Sequence, residues 1–314
     1  MWYSSRKHKP KRKIMSSVAK FPTKLFKNEV LYSVNEYGVA VITLNAPQRM
    51  NTMGPHMNKG VMCALELASD DPDVGVIVFT GAGNRAFCAG GNLQPDESGQ
   101  SGASAGFRKA VGGIPPTVTG AIRNLRQGMN SSLLFREVPK PTIAAVNGAC
   151  AGAGFSWACS CDIRLASDTS IFRSGFLTAG LSGDYGGTWT LPRIVGPAKA
   201  REIYFLNRKI KPDEAQRIGL VSDVYPSARF MDEVMQVAND LAQAPPLALK
   251  RIKANLNDAD KVIDFSAALD GEAERHARSG FHPDAAEAGK AFLEKRKPKF
   301  QGIGSSPDWA TSKL

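Results

Sequence analysis

Phe87-Cys88-Ala89-Gly90-Gly91-Asn92-Leu93 and Asn147-Gly148-Ala149-Cys150-Ala151-Gly152-Ala153-Gly154 decide how this chain is read. Both stretches are uncharged, rich in Gly and Ala, and each follows a strand-like apolar run. Residues without bulky side chains let a ligand approach the main chain closely. Fixed backbone N–H groups in turn stabilise negative charge as it develops. If the two turns meet in space, they present two amide donors to one oxygen.

Reading outward from them, Val39-Ala40-Val41-Ile42-Thr43-Leu44 is a strand by its β-branched run, and 45–51 is a polar turn around Pro47. Met57, Val61 and Leu65 recur at helical spacing within 54–69, and 74–79 is a buried strand leading into the first turn. This β-α-β order implies a right-handed crossover and parallel strands. Residues 95–117, rich in Gly, Ser and Pro, read as a mobile insertion, and 121–137 as a helix. A strand over 142–146 leads into the second turn, with a short helix through Trp157 and short strands at 163–166 and 170–173. Helices follow at 186–194 and 197–206, separated by Gly196-Pro197, then at 229–243, 246–256, 260–278 and 284–296. The organisation expected is a basic, disordered arm (1–28), a sheet-bearing core (29–225), a helical C-terminal region (226–300) and a flexible tail (301–314).

Composition sets limits on function. With 314 residues, 43% hydrophobic and 22% charged, the chain can bury a sizeable core. The formal net charge of +11 is concentrated at the N-terminus, where residues 1–28 carry nine Lys/Arg and no acid. The rest is nearly neutral, which argues against a nucleic-acid-binding face. Cys63, Cys88, Cys150, Cys159 and Cys161 form no CxxC pair and read as buried thiols. His8, His56, His276 and His282 show no metal-ligand spacing, so no metal site is expected. The uncharged run 142–161 is long enough for a membrane helix, but its Asn147, glycines and alanines favour strand, turn and helix, so no membrane span is expected.

Taken in order, these motifs resemble the crotonase superfamily, the enoyl-CoA hydratase/isomerase family. The resemblance rests on Arg85-Ala86-Phe87-Cys88-Ala89-Gly90-Gly91-Asn92-Leu93 and on Ala145-Val146-Asn147-Gly148 with the turn that follows. It is extended by Cys161-Asp162-Ile163-Arg164-Leu165-Ala166, by Gly186-Gly187-Thr188-Trp189 through Leu191-Pro192-Arg193-Ile194-Val195-Gly196, and by Ala291-Phe292-Leu293-Glu294-Lys295-Arg296-Lys297. It implies an α/β fold, a crotonase-like spiral of ββα units with a helical C-terminal region that builds homotrimers, often paired into hexamers. It also implies an acyl-CoA thioester substrate and no separate cofactor, since coenzyme A arrives as part of the substrate. By motif position, the N–H groups of Gly91 and Ala153 form the oxyanion hole. Arg85, Ala86, Ala89, Gly90, Asn92 and Leu93 fall along the substrate path. Phe292 and Lys295 reach coenzyme A, from a neighbouring subunit.

The oxyanion hole does not select the reaction; the acid–base residues do. The two glutamates of the family's hydratases fall here at Ser156 and Phe176, neither of which replaces them as a base. One carboxylate stands in a suggestive place, Asp184 in Gly180-Leu181-Ser182-Gly183-Asp184-Tyr185-Gly186-Gly187. Several isomerases and a dehalogenase branch resemble this pattern. A single carboxylate can move a proton between two carbons of an enoyl chain, and burial would raise its pKa toward neutrality. The structural alternative is an aspartate capping the helix that begins near Gly186. The expected function is an enoyl-CoA isomerase, 3-enoyl to 2-enoyl. A hydratase that uses Asp184 with water is the alternative, and a non-catalytic acyl-CoA binder is the alternative from another class. A dienoyl-CoA isomerase would lack its second acid at Phe176, and nucleophilic use of Asp184 is a minor option. Gly154-Phe155-Ser156-Trp157-Ala158 approaches a serine-hydrolase elbow but ends in Ala.

The two ends suggest addresses. Ser312-Lys313-Leu314 matches the tripeptide read by the peroxisomal import receptor, so peroxisomal localisation is expected. The basic arm offers a mitochondrial alternative, and Met15 an alternative start.

Overall fold

The computed structural model describes residues 20–92 and 117–301. Its organising unit is a pair of strands followed by helix. Strands β1 (Val30–Val34) and β2 (Val39–Leu44) form an antiparallel hairpin, followed by helix α1 (Pro55–Asp70). The pairs β3 (Val76–Gly81) and β4 (Ala86–Cys88), β5 (Thr142–Val146) and β6 (Ala149–Ala151), and β7 (Ile163–Ser167) and β8 (Ile171–Arg173) repeat the theme. In each of these three later pairs the first strand joins β1 and β2 in a six-stranded sheet, β1-β2-β3-β5-β7-β9, closed by β9 (Asp223–Tyr225). The second joins a three-stranded parallel sheet, β4-β6-β8. The chain therefore winds as a spiral of ββα turns.

Helices α2 (Val118–Gly128) and α3 (Asn130–Glu137) precede β5, and α4 (Ala153–Ser160) follows β6. After β8 come a 3-10 turn over Phe176–Ala179, then α5 (Gly187–Val195), α6 (Pro197–Leu206) and α7 (Pro212–Arg217). Helix α8 (Phe230–Leu241) returns across the large sheet, and α9 (Pro246–Ala259), α10 (Phe265–Gly280) and α11 (Pro283–Leu293) complete the C-terminal region.

Both faces of the large sheet are covered, which is why β3 and β5 are buried at every residue and read as mainly apolar runs, interrupted only by Thr80 and Thr142. On one face Val39, Val76, Val78, Ile143 and Leu165 pack under Phe230, Val234 and Ala238 of α8. On the other, Ile42, Leu44, Ile77 and Phe79 meet α1 and the small sheet. The 142–161 run is strand, strand and helix, and no helix among the described residues is long and apolar enough to cross a membrane.

Three expectations are revised. The arm does not extend unpacked to residue 28: Thr23–Phe26 is a 3-10 turn, and Phe21 and Phe26 are buried against each other and Tyr32. Residues 121–137 are two helices rather than one, with the turn made at Met129. The two small-residue stretches contain short strands, β4 and β6, before they turn. The insertion expected at 95–117 and the tail at 301–314 lie almost wholly outside the described residues.

Candidate active site

The two turns meet because β4 and β6 are parallel neighbours, with Ala86 opposite Ala149 and Cys88 opposite Cys150. Beyond the strand ends the backbones close on each other. A Cβ at Gly152, where φ is +54°, would stand 3.3 Å from Gly90 Cα. A Cβ at Gly154 would stand 2.4 Å from the Cys88 carbonyl oxygen. Small residues at these positions are therefore a steric requirement.

Met53 fixes the direction of Gly91. Its N–H donates to the Gly90 carbonyl (2.7 Å), and its carbonyl accepts from Asn92 N–H (2.9 Å). A parallel bridge that uses the flanking peptides turns the Gly91 N–H to the opposite edge. Ala153 opens α4, and a first-turn N–H has no partner inside its helix. Neither N–H meets an acceptor among the described residues. Two unpaired donors thus sit on adjoining backbones, which suits a negatively charged oxygen.

An aromatic cluster holds α4 in place. Phe79 lies 5.1 Å from Phe87, 4.7 Å from Phe135 and 5.6 Å from Trp157 between ring centroids. Trp157 donates its Nε1–H to Ser131 Oγ (2.9 Å) and packs edge-on to Tyr185, 5.8 Å away. Tyr185 is the residue after Asp184, so the cluster ties the carboxylate's loop to the helix carrying Ala153.

Asp184 does not cap α5. The cap position is Gly186, with no side-chain bond, and Asp184 contributes only its backbone carbonyl to Gly187 N–H (3.3 Å). Its Oδ1 is buried without a hydrogen-bond partner among the described residues, and burial pushes the carboxyl up to about 6. The structural alternative is thereby removed. Ser156 and Phe176 stand nearby through a residue that sequence reasoning missed, Tyr204 on α6. The Phe176 and Tyr204 rings stack at 6.1 Å with 4° between planes, and Tyr204 Oη and Ser156 Oγ converge on Gly187. Within the apolar run Ile203-Tyr204-Phe205-Leu206, Tyr204 reads as core; its lone hydroxyl is the only available signal. Ser156 is fully buried and faces this phenol, while His282 pairs with Asp284 in the C-terminal helices, so no serine-hydrolase triad forms among the described residues.

The remaining expected site residues divide. Ala86 and Gly90 are buried at the junction, Ala89 is half-buried, and Arg85 and Asn92 are exposed beside it. Leu93 lies outside the described residues. Phe292 and Lys295 are exposed at the end of the C-terminal helices.

The enoyl-CoA hydratase/isomerase family profile matches residues 35–113 and 124–303. The 1,2-epoxyphenylacetyl-CoA isomerase of Escherichia coli K12 is 32% identical over 276 residues, covering 87% of this chain and 99% of its own. The crotonyl-CoA hydratase of Syntrophomonas wolfei is 31% identical over 265 residues, 84% of this chain and 95% of that one. Among solved structures, an enoyl-CoA hydratase from Polaromonas sp. JS666 superposes with a TM-score of 0.77 at 32% identity, covering 87% of this chain and 99% of the other. These relatives are bacterial, and bacterial cells have no peroxisomes. The peroxisomal address read from Ser312-Lys313-Leu314 is therefore overturned; the tripeptide itself lies outside the described residues.

Proposed function

Because this chain belongs to the enoyl-CoA hydratase/isomerase family, we propose that it moves a double bond within an acyl-CoA thioester, from the 3 to the 2 position, with Asp184 as its single acid–base group. The thioester carbonyl oxygen lies between the Gly91 and Ala153 N–H groups. Ionised Asp184 removes a proton from C2 of the 3-enoyl chain, and the electron pair delocalises as a dienolate whose oxygen the two N–H groups stabilise. The same carboxyl then returns the proton at C4, leaving the 2-enoyl product with no net change in atoms. The reaction takes no cofactor beyond the coenzyme A that the substrate carries.

One observation carries this reading: the Asp184 carboxyl is buried, has an oxygen without a hydrogen-bond partner among the described residues, and is raised to about 6. A pKa near working pH makes both protonation states accessible, as a group that is base and then acid requires. The relative named as a 1,2-epoxyphenylacetyl-CoA isomerase supports it. The relatives named as hydratases favour a second reading, in which Asp184 activates water for addition across a 2-enoyl chain.

Incubation with 3-enoyl- and 2-enoyl-CoA in heavy water separates the two. Double-bond migration with deuterium incorporation is expected; gain of one water selects the hydratase instead. Asp184→Asn is expected to lower turnover about 10²–10⁴-fold while acyl-CoA still binds.

A further inference from the structure

Tyr204 is positioned as part of the site rather than as filler. Its ring is clamped flat against Phe176, and a Cβ at Gly183 would touch its Cε1 at 3.5 Å. Its hydroxyl is buried, and no partner among the described residues meets it in good hydrogen-bond geometry, Ser156 Oγ being a close polar neighbour. A Cβ at Gly187 would stand 2.4 Å from Tyr204 Oη and 2.5 Å from Ser156 Oγ, so only a glycine there lets the two hydroxyls converge. Gly187 lies three residues along the chain from Asp184, whose Oδ1 is likewise buried with no hydrogen-bond partner among the described residues. Ser156 Oγ reaches the Gly152 carbonyl only at 3.5 Å, the outer limit of a hydrogen bond.

Buried polar groups are normally paired, and leaving one unmade is costly. Two such side chains, close enough for the Asp184 charge to act on Tyr204, therefore point to partners that arrive with a ligand. The Asp184 carboxylate is accounted for by proton transfer to and from carbon. Tyr204 is not, because an unsubstituted enoyl chain has no acceptor to offer it. Burial also pushes the phenol pKa up, so the group stays a hydrogen-bond donor throughout the working range.

We infer that the acyl group preferred by this site carries an oxygen beyond C3, as a carbonyl, hydroxyl or ether, which accepts a hydrogen bond from Tyr204 Oη beside Ser156 Oγ. Tyr204 is then the residue that sets acyl specificity. The inference rests on reading the cleft as an acyl-CoA site and names the class of acyl group it takes.

Binding of 4-oxo-, 5-oxo- and 6-hydroxyhexanoyl-CoA is compared with that of hexanoyl-CoA by calorimetry, using wild type and Tyr204→Phe. None of these probes has a double bond, so failure of the isomerase reading appears separately, as absent migration with the oxygen preference intact. At least one oxygenated probe is expected to bind wild type about tenfold more tightly than hexanoyl-CoA. That gain is expected to vanish in Tyr204→Phe, with hexanoyl-CoA affinity unchanged. The inference is overturned if no probe gains, if the gain survives in Tyr204→Phe, or if the variant loses hexanoyl-CoA as well. Should Tyr204→Phe not fold, Ser156→Ala is expected to cut the same preference at least threefold, and an undiminished preference overturns it.

Discussion

Asp184 links activity and stability to pH in opposite directions. An ordinary aspartate titrates near 3.9, whereas burial lifts this one to about 6. Its base form is the reactive one, so kcat/KM for double-bond migration should fall about tenfold per unit below pH 6 and level off above. The Asp184→Asn variant should lack that limb. Stability runs the other way. Between roughly pH 4 and 6 the folded protein holds a proton that the unfolded chain has released, so stability declines through that window and stays lower above it. Neutral Asn removes the cost. Asp184→Asn should therefore be more stable than wild type by about 1–2 kcal/mol at pH 8 and indistinguishable from it near pH 3.5. Paired thermal melts at the two pH values measure this, and equal melting at pH 8 would contradict a carboxyl raised by burial.

At the scale of elements, α4 matters most, because it places both the Ala153 N–H and Ser156. Its seat against β4 allows no side chain at Gly154, where a Cβ would also approach Cys88 Cβ at 2.6 Å. Gly154→Ala should destabilise by about 1–3 kcal/mol or more, and should lower kcat beyond what lost folded protein explains, because the shift moves one donor. Ser131→Ala leaves the buried Trp157 Nε1–H unpaired; a loss of about 1–3 kcal/mol by denaturant titration is expected. The sequence made much of this arrangement legible. The spacing of Met57, Val61 and Leu65 identified α1, the β-branched run identified β2, and the glycines and alanines identified both turns. What stayed hidden had local causes. Strand β1 alternates buried and exposed residues over only five positions, too short a run to stand out beside the basic arm. The break at Met129 directly follows Gly128, but a single glycine inside a helical pattern does not by itself mark a stop, and the chain turns there to seat Ser131 under Trp157. Strands β4 and β6 have three residues each, and their character comes from pairing with each other, which no local pattern records. Tyr204 was concealed by apolar neighbours, since only the third dimension brings it opposite Ser156.

In the whole molecule, the spiral and the C-terminal helices are joined by a buried cation. Lys253 on α9 donates to the Phe135 and Lys140 carbonyls and pairs with Asp162 at 2.8 Å. Removing one partner of such a group is costly, so Lys253→Ala should lose about 3–5 kcal/mol in chemical denaturation. Beyond that joint, the C-terminal helices leave much apolar surface uncovered. Ile252, Leu256, Ile263, Phe265, Leu269, Phe281, Phe292 and Leu293 are all exposed on α9, α10, α11 and their connections. Large apolar patches of this kind mark association surfaces, and the family resemblance implies a trimer. A surface shared between copies would also account for Phe292, which is 74% exposed although its motif position assigns it to coenzyme A. The protein is therefore expected to sediment as a trimer or hexamer, and a charge placed in the patch by Phe265→Asp should shift it toward monomer. If Phe292 and Lys295 act across the interface, that variant should also raise KM for acyl-CoA, with the Asp184-dependent pH limb unchanged. A wild type that sediments as a monomer at micromolar concentration would refute both the assembly and the shared coenzyme A site.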